Sequence, residues 1–149
     1  MIEVVPASPA HVGTLANRMR EIDRAECAVF GRTPKEALRL SLRSASCAWT
    51  AKVDGRAEAM FGAASLSAID GIGSPWLLMT DVAVAHARAL VELGRDYSDA
   101  MQARFRRLEN WVHADNAVAI RWLTRLGYAI GPVDVINGHP MRSFARFRT

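Results

Sequence analysis

Few side chains in this sequence are of the kinds that move protons, hold phosphate or attack a carbonyl carbon. Asp81 stands within the apolar run Trp76 to Val84, and His113 stands three residues before Asn116. A carboxylate or an imidazole can serve as a general base. Asp81 reads equally as a solvent-facing acid, and His113 as a hydrogen-bonded structural histidine beside a helix cap. His86 and Arg88 open a helical pattern, where free backbone N–H groups and the helix dipole favour an anion. Cys27 and Cys47 stand twenty residues apart with no CxxC and no histidine pair, so they predict neither a metal site nor a disulfide framework. They read as small buried hydrophobes. Gly71 and Gly73 precede a strand, the context of a turn rather than of a phosphate cradle.

Charge adds one more clue. The 149 residues contain 19 basic and 15 acidic side chains, a net charge of +4, and Lys35 and Lys52 are the only lysines. From Met101 to Thr149 there are eight arginines against three acids, which suits an anionic ligand as well as it suits solvated surfaces. Arg142, Phe144, Arg146 and Arg148 share one strand parity, so no basic face alternates with an aromatic one, and nucleic acid is not the expected partner. With 50% hydrophobic residues, the composition is that of one folded domain spanning 1–149. No run reaches the ~18 apolar residues of a membrane span, and the N-terminus lacks the pattern of a signal peptide. The expectation is a cytoplasmic protein without membrane contact.

The elements that must position these residues follow from periodicity and punctuation. Ile2 to Val5 reads as a strand, followed after Ser8-Pro9 by a helix whose stripe of Val12, Leu15, Ala16, Met19 and Ile22 ends near Asp23. Thr33-Pro34-Lys35-Glu36 is a capping box with proline at the first helical position, and it opens a second helix. Ser46–Val53 and Arg56–Leu66 form a hairpin around Asp54-Gly55, and Trp76–Val84 is a central strand. Ala87–Leu108 is the longest helix. Glu109–His113 is a strand, and Asp115-Asn116 caps a helix that Gly127 stops. Tyr128–Ile136 and Met141–Phe147 pair around Asn137-Gly138. The order β-α-α-β-β-β-α-β-α-β-β predicts an α+β domain with a mixed, mostly antiparallel sheet flanked by helices.

That order, with Val112, Asn116, Ala119, Ile120, Gly127 and Tyr128 at their spacing, resembles the GNAT superfamily of acyl-CoA-dependent N-acyltransferases. The second half of the chain, from Trp76 through Tyr97, Asp99, Asn110 and Leu123, also looks like the acetyltransferase-like internal virion protein A family of short-tailed phages. The first resemblance implies acetyl-CoA as cofactor and an amine as acceptor. The second implies a phage or prophage origin, with virion or assembly proteins as partners.

The resemblance also implies roles. The backbone of Asp81, Val82, Ala83 and Val84 would pair with the pantetheine arm. Asp81 would be the base, with Glu109 or His113 as second choices. The segment His86, Arg88 and Ala89 would receive the pyrophosphate, and Asn116 would cap the helix beside the cofactor. Two features of the family are missing. The pyrophosphate loop contains no glycine before Gly94, and the position of the tyrosine acid is Leu123, which leaves Tyr97, Tyr128 or water. Two functions therefore stay open: an N-acetyltransferase acting on an amine of a small molecule or protein, and an inactive virion or assembly protein that uses the same fold for protein contacts.

Overall fold

The computed structural model describes residues 1–149. The chain opens with strand β1 (Ile2–Pro6), a 3-10 turn (Pro9–His11) capped by Ser8, and helices α1 (Val12–Arg18), α2 (Glu21–Val29) and α3 (Pro34–Ser44). Strands β2 (Ala45–Val53), β3 (Arg56–Ser67) and β4 (Ile72–Met79) follow, then the single turn α4 (Asp81–Ala85) and the long helix α5 (Ala87–Arg104). Strand β5 (Arg107–His113), helix α6 (Ala117–Arg125) and the hairpin β6 (Ala129–Ile136) and β7 (His139–Phe147) complete the chain. The seven strands form one sheet in the order β1-β2-β3-β4-β5-β7-β6. Every pairing is antiparallel except β4 with β5. The α+β architecture with a mixed, mostly antiparallel sheet is the one expected.

Turn chemistry explains both hairpins. Asp54-Gly55 and Asn137-Gly138 adopt positive φ at both central positions, 49° and 84° in the first and 51° and 80° in the second. This is the twist that two-residue hairpin turns demand. The capping box at Thr33 is also present, with Thr33 Oγ1 accepting from Glu36 N and Glu36 Oε1 from Thr33 N.

The sheet separates two apolar layers. On one face Val12, Leu15, Leu38, Cys27 and Ala37 pack with Met60 and Leu78. On the other, α5 and α6 cover Ala59, Ala63, Met79, Leu108 and Val112. The alternation along β3 and β4 assigns each side chain to a layer, because successive strand residues point to opposite faces.

Three expectations need correction. The helix expected to run through Asp23 breaks at Met19 and Arg20, both in extended conformation, and a new helix continues to Val29. The break serves β4: Arg20 N donates to Met79 O at 3.0 Å, and Met19 bridges to Thr80. Such bonds are unavailable to residues inside a continuous helix. The strand expected at Trp76–Val84 instead covers Ile72–Met79. Thr80 ends it, its hydroxyl accepting from Ala83 N, and Asp81, Val82, Ala83 and Val84 turn into α4. The long helix ends at Arg104, so Leu108 lies in β5 and not on the helical stripe.

Pro75 sits inside β4 without weakening the ladder. Thr80 N bonds Glu58 O on β3, so even-numbered residues of β4 pair with β3 and odd-numbered residues turn their backbone toward β5. The nitrogen of Pro75, which has no hydrogen to donate, therefore faces the open side.

Candidate functional site: a cleft where two strands part

β4 and β5 pair only at Ile72 with Arg107 and at Gly73 with Leu108, and beyond that point the strands diverge. A bare glycine marks the junction: a Cβ on Gly73 would lie 2.6 Å from Cγ of the Phe105 ring that covers it. Above the junction Asn110 reaches across the gap, its Nδ2 donating to Pro75 O at 2.7 Å. Past Asn110, Leu77 directs its N–H and C=O into the opening, as strand parity requires.

A cavity of about 520 Å³ occupies this opening and reaches both faces of the sheet. On the α5 and α6 side it is lined by Leu77, Leu90, Tyr97, Ala119, Trp122 and Leu123. On the other side lie Phe30, Leu40, Trp76, Leu78 and Trp111.

The far end of the opening is closed by a polar cluster built from the broken helix. Asp23 Oδ2 accepts Met79 N at 3.0 Å, and Asp23 is held by Arg20 through bonds of 2.8 and 3.2 Å. One turn later on α2, Glu26 Oε1 accepts His113 N at 3.0 Å and Asn116 Nδ2 at 2.8 Å. Asn116 closes the loop, its Oδ1 accepting Ala119 N at the start of α6 and Arg20 Nη2 at 3.3 Å.

The two acids differ in their partners. Burial pushes the Asp23 carboxyl up, and the adjacent guanidinium of Arg20 opposes that push. Glu26 has no salt bridge, and burial pushes its carboxyl up to about 7 despite the Asn116 and His113 hydrogen bonds. Both of those bonds end on Oε1, so Oε2 is free to exchange a proton with a bound group. Cys27, also on the cavity wall, is no nucleophile at neutral pH, because burial raises its thiol to about 11.

The structure disperses most residues singled out in the sequence. Asp81 is the exposed first residue of α4, and Val82, Ala83 and Val84 form that turn, so they offer helical backbone and no strand edge. His86 is the exposed residue between α4 and α5, and Arg88 and Ala89 are exposed in the first turn of α5. Of the candidates for base and cofactor binding, Asn116 alone lines the cavity. His113 is buried beside the cluster, its Nδ1 accepting Asp115 N at 3.1 Å. Glu109 pairs with Arg107 at 2.7 Å. Cys47 is half-buried, not fully buried as expected. Tyr128 packs edge-on against Phe144, and burial lifts its phenol to about 12, so it is a core residue. Tyr97 stacks with Trp49 and Phe61 and does reach the cavity.

Sequence reasoning missed Glu26 because it ended the helix at Asp23. The signal was present: Asp23 and Glu26 stand three residues apart, the spacing of one face of a helix that runs beyond Asp23.

Solved structures share the overall fold of this chain. Ard1 from Thermoplasma volcanium superposes with a TM-score of 0.73 over 99% of this chain and 98% of its own, at 14% identity. The aminoglycoside acetyltransferase AAC(6')-Ib in complex with coenzyme A gives 0.68 over 99% and 95%, at 11% identity. The chain has the GNAT fold. An acetyltransferase of the GNAT family from Streptococcus pneumoniae agrees over the full length of both chains, with a TM-score of 0.66 and 14% identity. No family model matches the sequence, and no curated protein does. No helix of this GNAT fold is long and apolar enough to cross a membrane.

Proposed function

We propose that residues 1–149 form one N-acetyltransferase domain that transfers an acetyl group from acetyl-CoA to an amine, with Glu26 as general base. The observation behind this reading is the position of Glu26: a carboxyl titrating near 7 at the end of the β4–β5 opening, with one oxygen anchored and the other free. A base matched to neutral pH is what removal of an ammonium proton requires.

The cofactor's fit can be judged part by part. The pantetheine arm has a strand edge at Leu77, flanked by the apolar walls of α5 and α6. That edge is short, because Pro75 O is taken by Asn110 and Met79 by Arg20 and Asp23. The diphosphate has no glycine loop, and His86 and Arg88 at the start of α5 are the residues that would hold it. Acetyl-CoA, when bound, supplies an acetyl thioester whose carbonyl carbon accepts the amine and whose thiol leaves. Glu26 Oε2 takes the ammonium proton, Leu77 orients the arm through backbone bonds, and Asn116 holds Glu26 in place. Leu123 offers no proton to the departing sulfur, so water supplies it.

The missing glycine loop and Leu123 favour a second reading, in which a phage virion or assembly protein uses the fold for protein contacts without catalysis. Titration with acetyl-CoA, read by thermal shift and calorimetry, separates the two. The enzyme shows saturable stabilisation and releases thiol only when an amine is present. Absence of binding by both methods contradicts the acetyltransferase and leaves the scaffold.

A further inference from the structure

We propose that the acyl acceptor is a small primary monoamine with an aromatic or comparably bulky apolar body, bound on the α2 and α3 side of the opening. This rests on the acetyltransferase reading above. The cavity volume, about 520 Å³, lies within the ~300–1,000 Å³ typical of small-ligand sites.

The walls on that side are aromatic and aliphatic. Trp76 comes from β4, Trp111 from β5, Phe30 from the end of α2 and Leu40 from α3. Leu108 and Val112 pack toward α5 and α6, so Trp111 faces the opposite layer. It stands two residues before His113, whose N–H Glu26 holds, so an indole and the free carboxylate oxygen share one strand end. An indole face beside a carboxylate suits an ammonium attached to an apolar group. The Nε1 of Trp76 is buried without a hydrogen-bond partner, a donor that a ligand oxygen or a water would satisfy.

Charge sets the number of ammonium groups. Asp23 and Glu26 are the only acids on the cavity wall, and Arg20 and Arg32 are its only cations. Asp23 is committed to Arg20 at 2.8 Å, which leaves Glu26 alone to meet a cation. A second ammonium, as in a polyamine or an aminoglycoside, finds no carboxylate and faces Arg32.

The test is calorimetric titration of the full chain with phenethylamine, spermidine and kanamycin, with and without CoA, followed by transfer rates for each amine. Phenethylamine is expected to bind at least about tenfold more tightly than the other two and to be acetylated with the highest kcat/KM. Trp76→Ala is expected to raise the phenethylamine Kd about tenfold with acetyl-CoA affinity unchanged. Leu40→Glu, which adds an acid at a half-buried position, shifts preference toward spermidine and keeps the test open if Trp76→Ala fails to fold. Equal or tighter binding of spermidine or kanamycin, or no binding of phenethylamine in either state, overturns the proposal. Failure of acetyl-CoA itself to bind overturns the acetyltransferase reading, and the titrations without CoA then still decide the chemistry of the pocket.

Discussion

Asp23 and Glu26, three residues apart on α2, hold the edges of two different strands: Asp23 accepts the N–H of Met79 on β4, and Glu26 accepts the N–H of His113 on β5. One short helix thus spans the gap that opens when β4 and β5 part. The two carboxylates satisfy backbone donors that a continuous sheet would have paired. Because Glu26 lacks an ion-pair partner, it keeps a titration near neutrality while doing so.

Glu26→Gln is expected to lower kcat by about 10²–10⁴-fold while leaving acetyl-CoA affinity unchanged. The amide oxygen still accepts the His113 and Asn116 bonds, so melting temperature serves as the control for folding. A variant that folds and turns over at the normal rate removes Glu26 from the mechanism.

Stability should depend on pH through the same group, with a definite sign. The Glu26 pKa is raised on folding from 4.5 to about 7. Its protonated form is the one the native state favours, so the stabilisation is complete below about 4.5 and is lost as pH rises through about 7. Denaturant titrations across that window are expected to show declining stability in the natural chain and a flatter profile in Glu26→Gln.

Glu58 runs the opposite way. Burial pushes its carboxyl up, but hydrogen bonds from Arg18 and Thr80 and the charges of Arg18 and Arg56 outweigh burial and hold it below the ordinary range. Its contribution is present above the unfolded carboxylate pKa and lost as pH falls through the lowered native one. Acid unfolding of Glu58→Gln should therefore lose part of the cooperative loss of stability seen at low pH in the natural chain. An unchanged acid limb would show that the cluster of Arg18, Glu58 and Thr80 contributes nothing.

Gly73→Ala tests what sets the opening. A methyl group there collides with Phe105 at the last paired position of β4 and β5, and overpacking of this kind costs about 1–3 kcal/mol. Phe105→Leu in the same chain should recover part of the loss, since the clash is with the ring. Additive losses in the double variant would place the strain elsewhere.

Much of this fold was legible locally. Thr33 to Glu36 contains a complete capping box, Asp54-Gly55 and Asn137-Gly138 specify their turns, and Asn116 and Gly127 bracket α6. These signals sit within a few residues of what they determine. The break at Met19 is different. Its apolar stripe continues without interruption, and the extended backbone is stabilised by Met79 and Thr80, some sixty residues away in sequence. The run after Met79 misled for a related reason: Val82 and Val84 favour strands, yet the Thr80 cap and burial of Ala83 against Val91 and Trp122 turn it into helix. Glu26 was missed with the break, since it reaches the opening only because α2 begins where α1 stops. Asn116 was readable in advance as the cap of α6.

In the proposed reaction the half-buried carboxyl of Glu26, at the parting of β4 and β5, takes the ammonium proton. The most direct test is the rate of thiol release from acetyl-CoA with phenethylamine, measured from about pH 5 to about pH 9 for the natural chain and for Glu26→Gln. The natural chain is expected to show a kcat/KM that rises with pH, half-maximal near 7 as Glu26 ionises, and the variant to lack that rise. A pH profile shared by both chains, or no amine-dependent release at any pH, would contradict it.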